Sequence, residues 1–285
     1  MKPGTLWQSV LDSTEHAIDC GALAKIPTRV EQVEECGIRF QVHIVQQLER
    51  KHIEGITQRQ SGTNPFLPYD EDMFVANATD THVCLLNKFN VMDHHLLIVT
   101  REFEHQETLL NAHDFEAMWL CLREFQGLAF YNSGTISGAS QPHKHLQQVP
   151  LPLGGGTQRT PIDSLVAGAS VDGSFGTLPS FNFSHILTRV SHIGASTVDE
   201  AARETEQTYL EMLRELYGAD TPGPYNLLAT RDWMLLVPRS VEHYESISVN
   251  ALGFAGSLLA RDEREWELIR QRGPLGVLED VGRRG

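Results

Sequence analysis

The chain has 285 residues, and 37 Asp and Glu against 23 Lys and Arg give it a formal charge of −14 with histidines neutral. A length of this order carries one sizeable domain or two small ones, and 41% hydrophobic with 21% charged residues is the balance of a packed globular protein. Disordered, collagen-like and coiled-coil chains are excluded, and so is general binding to nucleic acid or an anionic membrane, which needs a cationic face.

Four cysteines at positions 20, 36, 84 and 121 match neither a CxxC zinc knuckle nor a dense disulfide framework and read as free, mostly buried thiols. The N-terminal segment has no apolar core of a signal peptide, and no run of 18 apolar residues occurs. The expectation is a soluble, cytoplasmic protein of a single domain, 1–285, in which residues 1–40 resist assignment.

In chain order, QVHIVQQLER (41–50) has an apolar spacing that fits a strand or a helix. A loop follows over 56–72, broken by Gly62, Pro65 and Pro68. HVCLLNKF and HHLLIVT read as two short buried strands joined by a hairpin at FNVMDH, with Asp93-His94-His95 taken as its turn. Phe115, Met118, Trp119, Leu122 and Phe125 recur at helical spacing over 114–126, with Asp114 near the helix start. GLAFYNSG and QPHKHLQQV read as strands. Residues 150–179, rich in Gly, Pro and Ser, read as a long loop excursion. The clearest helix covers 198–217, and YNLLATRDWMLLVPRS forms a hairpin turning at Arg231–Asp232. The sum is an α+β protein, a sheet with helices packed on one face.

Side chains of a strand alternate, so SQPHKHLQQV lines up Gln141, His143, His145, Gln147 and Val149 on one face. Four polar groups in a row resemble the floor of a site. The preceding turn, FYNSGTISGAS, offers backbone N–H groups that could converge on phosphate oxygens. From Phe125 to Ile162 this acidic chain has no Asp or Glu, where its average content predicts about five. Lys144 within that segment, with Lys88 and Arg101, could contact a polyphosphate. The His-x-His pair is also compatible with a metal site, although no carboxylate or third His lies beside it.

FYNSGTISGASQPHKHLQ resembles the His-x-His-x-Gln signature of the histidine-triad superfamily and, more narrowly, the diadenosine tetraphosphate (Ap4A) phosphorylases, also called ATP adenylyltransferases. The likeness continues through NPFLPYDEDMFV, LLNKFNVMDHHLLIVTREFEHQ, YNLLATRDWMLLVPRS, SVNALGFAGSLLARDE and GPLGVLEDVG, covering most of the chain from about Phe40. It implies a histidine-triad-like antiparallel sheet with helices packed on it, and reversible phosphorolysis of Ap4A with phosphate to ATP and ADP through an adenylyl–histidine.

On that resemblance His145 is the nucleophile, His143 the first His of the signature and Gln147 its last polar position. Asn87, Lys88, Asn132, Gly138, Ala139, Ser140 and Gln141 match nucleotide- or phosphate-contacting positions. Asn226 to Thr230 with Met234 match a later nucleotide segment, and Lys51 is a looser match. No cofactor is expected beyond Mg²⁺ carried by the polyphosphate, and no dedicated metal site; the expected partners are small nucleotides and phosphate, with no nucleic acid and no membrane, and the oligomeric state is left open. A neutral imidazole attacking phosphorus must keep the proton on its other nitrogen, for which a nearby main-chain carbonyl is the expected acceptor. A dinucleoside polyphosphate hydrolase, a hexose-1-phosphate uridylyltransferase and a nucleotide-binding sensor without turnover share the motif logic and stay open at this point.

Overall fold

The computed structural model describes residues 2–46, 64–153, 159–172, 174–190 and 197–285. The elements used below are, in chain order, α1 (Leu6–Asp19), β1 (Thr28–Glu35), β2 (Ile38–Val45), β3 (Phe74–Asn77), β4 (His82–Leu86), β5 (Leu96–Thr100) and α2 (Ala112–Glu124). There follow β6 (Gly127–Asn132), β7 (His145–Pro150), α3 (Asp163–Gly168), β8 (Ile186–Arg189), α4 (Val198–Tyr217), β9 (Tyr225–Ala229), β10 (Trp233–Pro238), β11 (Ser257–Ala260), α5 (Glu263–Arg272) and α6 (Pro274–Val281).

Helix α2 begins where the sequence supplies a reciprocal cap: the Asn111 side chain accepts from the backbone of Asp114, whose carboxylate accepts from the Asn111 N–H. The same device, with Thr197 and Glu200, starts α4. Its apolar stripe of Ala201, Ala202, Thr205, Tyr209, Met212 and Leu213 is buried against α2. The ambiguous QVHIV segment is strand, within β2. QPHKHLQQV is strand only from His145; residues 141–144 pass through an isolated bridge between His143 and His105. Within the glycine-rich excursion the described residues form α3 and two two-residue strands, Val171–Asp172 and Phe175–Gly176.

Among the described residues ten strands make one antiparallel sheet, in which β8, β10, β9, β6, β7, β5, β4 and β3 lie side by side in that order beyond the two short strands. Alternation gives it two apolar faces. On one, Ala129, Leu146, Leu227, Met234 and Leu236 pack under α1, α2 and α4. On the other, Leu128, Phe130, Val149, Leu228 and Leu235 pack against a second, three-stranded sheet of β1, β2 and β11 with α5 and α6. The antiparallel α+β architecture is as expected, but helices cover both faces, because the second sheet and the C-terminal helices supply a further layer. Phe66, Val83, Leu85, Leu97 and Val99 make a smaller cluster beside β7 on that second face. Cys84 and Cys121 are buried, whereas Cys20 and Cys36 are exposed, so the thiols are free but only half of them interior. Among the described residues no helix is long and apolar enough to cross a membrane.

Candidate active site

His145 opens β7 on the face that carries Gln147 and Val149, and its ring lies beside Phe66, with centroids 5.4 Å apart. Nδ1 donates to the carbonyl of His143 at 2.8 Å, so the proton is fixed there, on a main-chain acceptor as expected. Nε2 has no hydrogen-bond partner among the described residues. Burial holds the imidazole pKa down to about 4, so the ring is neutral and Nε2 keeps its lone pair across the neutral range.

The backbone beneath this ring is held by a side chain. The Gln106 amide accepts from the His145 N–H at 2.8 Å and donates to the carbonyls of His145 at 3.1 Å and Asn132 at 2.8 Å. The β6–β7 ladder runs only to Phe130 and Gln147, so Gln106 serves as the next rung in place of a peptide group. Nothing in the sequence around Gln106 marks that role, because it depends on the loop being carried over the end of the sheet.

His143 is fully buried: Nε2 donates to the Thr100 carbonyl at 2.8 Å, and Nδ1 accepts from the Asn64 amide at 3.1 Å. Both ring nitrogens are therefore spent, and its contribution at His145 is made through its carbonyl. Gln147 is oriented by His95, which lies immediately before β5 and not in the hairpin turn expected for it. The Phe89 N–H donates to Asn87 Oδ1 at 3.4 Å, so the Asn87 amide nitrogen donates to His95 Nδ1 at 3.1 Å. His95 Nε2–H then donates to Gln147 Oε1 at 2.9 Å, leaving the Gln147 NH₂ group for the site. His95 shares the alternation of Leu97 and Val99, on the site face, whereas His94 sits at φ +59 in the bend itself.

The remaining expected contacts divide. Lys88 is half-buried, follows Asn87, and its ammonium has no hydrogen-bond partner among the described residues. Ser140 is exposed and Gln141 half-buried in the turn before His143, with backbone N–H groups unpartnered among the described residues. The N–H groups of Gly138 and Ala139 are already used within the turn, bonding the carbonyls of Thr135 at 2.8 Å and Gly134 at 3.1 Å, so they are not free phosphate donors. Gly138 is needed for another reason. At φ +85 it passes so close to the Val249 carbonyl that a Cβ would come within 2.8 Å.

Asn132 is level with His145 and on the same face, while Asn226 stands opposite Asn132 on β9 and is wholly buried. Thr230 and Met234 are not brought to the site. Thr230 caps the hairpin turn by accepting from the Asp232 and Trp233 N–H groups, about four residues or ~13 Å along the sheet from Asn132. Met234 points into the helix-covered face, because its alternation is opposite to that of Asn226.

Lys144 is a correction of the same kind. Its parity puts it against α2, where the fully buried ammonium binds Asp114 at 2.6 Å, Glu104 at 3.1 Å and the Leu109 carbonyl at 3.1 Å. Burial alone would raise the Asp114 carboxyl, but bonds from His82 and Lys144 outweigh it and hold the group below the usual carboxylate range. Arg101 is engaged with Asn77. Lys51 lies outside the described residues. The group His16, Cys20 and Asp72, whose ligand atoms lie within 4.8 Å of one another, is exposed on α1 and the turn before β3 and is no part of the site.

The Ap4A phosphorylase N-terminal domain, as a family, matches residues 1–168, and the ATP adenylyltransferase C-terminal domain matches residues 179–284. The chain belongs to the Ap4A phosphorylase family. Two Saccharomyces cerevisiae proteins are similar to it. Diadenosine 5',5'''-P1,P4-tetraphosphate phosphorylase 2 is 28% identical over 246 residues, covering 73% of this chain and 72% of that one. Protein APA1 is 25% identical over 305 residues, covering 95% and 91%. The crystal structure of yeast Ap4A phosphorylase Apa2 in complex with AMP has the same fold, with a TM-score of 0.80 at 23% identity over 100% of this chain and 99% of that chain. Its complex with Ap4A gives 0.78 at 22% over 99% and 98%. In this phosphorylase-family chain the large sheet crosses from one matched segment to the other through the pairing of β6 with β9.

Proposed function

We propose that the protein catalyses reversible phosphorolysis of Ap4A, with phosphate, to ATP and ADP, and that His145 carries the adenylyl group between two half-reactions. Membership of the Ap4A phosphorylase family supports the reaction class. One structural observation supports the division of roles: of the three imidazoles at the site, only His145 keeps a ring nitrogen without a partner among the described residues, while those of His143 and His95 are both engaged.

In the first half-reaction His145 Nε2 attacks the phosphorus of an adenylyl group. The N–P bond forms as the P–O bond to the remaining ATP breaks, and Nδ1–H gains strength as a donor to the His143 carbonyl as the ring becomes positive. On this reading the Gln147 NH₂, the Asn132 amide, the Ser140 and Gln141 N–H groups and Lys88 are the donors that hold phosphate oxygens. In the second half-reaction an oxygen of inorganic phosphate attacks the same phosphorus and His145 leaves, giving ADP. Mg²⁺, if it accompanies the polyphosphate, would be held by the substrate's own oxygens and would offset part of their charge, leaving the residues above to orient what remains.

Water is a poor substitute for phosphate here, because Gln147 cannot take a proton and His95 behind it has no ring nitrogen to spare. This favours a phosphorylase over a hydrolase. Chromatography of the products from Ap4A with and without phosphate tests the reading: ATP plus ADP only when phosphate is present supports it, and rapid phosphate-independent AMP formation overturns it.

A further inference from the structure

Arg239 is 3% exposed and, among the described residues, makes no ion pair with a carboxylate; the Glu242 carboxylate is near enough to act on its charge but not to bond it. Its guanidinium donates to five carbonyls, those of Ser137, Val241, Glu242, Val249 and Val281, and to the side-chain oxygen of Asn226 at 2.7 Å. A buried cation satisfied entirely by neutral oxygens is unusual, since burial normally calls for an opposite charge. What it does fix is direction. Arg239 can only donate, so the Asn226 atom facing it is Oδ1.

The Asn226 amide nitrogen then faces Asn132 Oδ1 at 2.8 Å and the Ser137 carbonyl at 2.8 Å, both acceptors. Asn132 Oδ1 also accepts from the Ala251 N–H, a group that can only donate, at 3.0 Å. Neither amide can be reversed without setting donor against donor or acceptor against acceptor. The oxygen of Asn132 is doubly committed, and its NH₂ group is the end left for the His145 side of the row. Arg239, Asn226 and Ala251 come from the C-terminal matched segment, Asn132 and Ser137 from the N-terminal one.

We propose that Arg239 and Asn226 are positioning residues that act through Asn132: they lock its amide so that a donor, not an acceptor, meets the phosphate oxygens beside His145. This rests on the phosphorylase reading of the site, and it reassigns Asn226 from contacting nucleotide to orienting a residue that does.

The discriminating variant is Asn226→Asp, nearly isosteric. The carboxylate keeps the bond from Arg239 and gains its charge, but offers no donor to Asn132 or Ser137. Melting temperature should stay level or rise. AMP affinity, by calorimetry, should fall at least tenfold while adenosine affinity stays within threefold, and kcat/KM for Ap4A should fall about 100-fold, the loss typical of removing one oriented donor. In an Asn132→Ala background the same change should cost less than threefold. A contribution to folding alone would not separate AMP from adenosine. Equal losses for both ligands, AMP affinity within threefold of wild type, or the same cost in both backgrounds would overturn the proposal. If Asn226→Asp shows no cooperative melt, Arg239→Lys replaces it in the same cycle, with a tenfold loss expected only where Asn132 is present. Wild type that binds AMP but does not consume Ap4A with phosphate would sink the phosphorylase reading, and the AMP-to-adenosine ratio would still decide the relay.

Discussion

His95 donates from Nε2 to the Gln147 side-chain oxygen at 2.9 Å, and that bond decides which end of the Gln147 amide is left for the His145 side. His95→Leu, similar in volume, frees the amide to turn its oxygen toward an anionic phosphate. Losing a partner that orients a site residue costs on the order of 10–100-fold in activity, so kcat at saturating phosphate should drop by that factor. Steady-state Ap4A consumption measures it, and an unchanged kcat would show that Gln147 needs no orientation.

Protonation of the site follows from burial. His145 and His95 are each held down to about 4, whereas an unfolded histidine titrates near 6.5. The native state therefore binds fewer protons than the unfolded chain between those values, and stability falls as pH drops through the window, by several kcal/mol in total. Activity, which needs neutral His145, should survive below pH 6 and fail with a midpoint nearer 4 than 6.5. Denaturant melts and short-time rates from pH 4 to 8 check both, and an acid limb at 6.5 would show that His145 is not desolvated.

Two lysines, both expected from sequence to reach phosphate, should separate. Lys88→Ala should raise KM for Ap4A about tenfold or more, as a charge-assisted contact of ~1.5–3 kcal/mol is lost, with an unchanged melting temperature. Lys144→Met leaves the buried Asp114 carboxylate, still bonded by His82 and the Asn111 N–H, without its cation and should destabilise by about 3–5 kcal/mol, leaving KM within threefold in whatever folds. Reversal of the two patterns would return Lys144 to the site.

Much of this was legible in alternation alone. The polar row of His143, His145 and Gln147 was readable because one parity was polar where a buried strand should be apolar. The same rule separates Lys144, on the opposite parity, from the phosphate contacts it was grouped with, and puts His95 on the face of Leu97 and Val99 once the strand is carried back to it instead of ending in the turn. Met234 was separable from Asn226 by the same count. Gln106 was not legible: it replaces a peptide group in a ladder, and only the tertiary path of its loop puts it there. Nor was the fate of Gly138 and Ala139, whose N–H groups the turn itself consumes. The helix over 198–217 was fully readable because its cap and its stripe agree.

Gln147→His places an imidazole where it can serve water. Hydrolytic AMP formation should rise at least tenfold and phosphorolysis fall, read as the ratio of AMP to ADP at one fixed phosphate concentration for both proteins. If the ratio does not move, the amide at 147 is not what excludes water.

On the proposed reaction His145 Nε2 becomes covalently adenylylated. Intact-mass measurement after mixing the protein with Ap4A in phosphate-free buffer should show addition of one adenylyl group, placed on His145 by fragmentation, discharged as ADP when phosphate is added and missing in His145→Ala. No adduct, an adduct on another residue, or a His145→Ala variant that turns over within tenfold of wild type would contradict it.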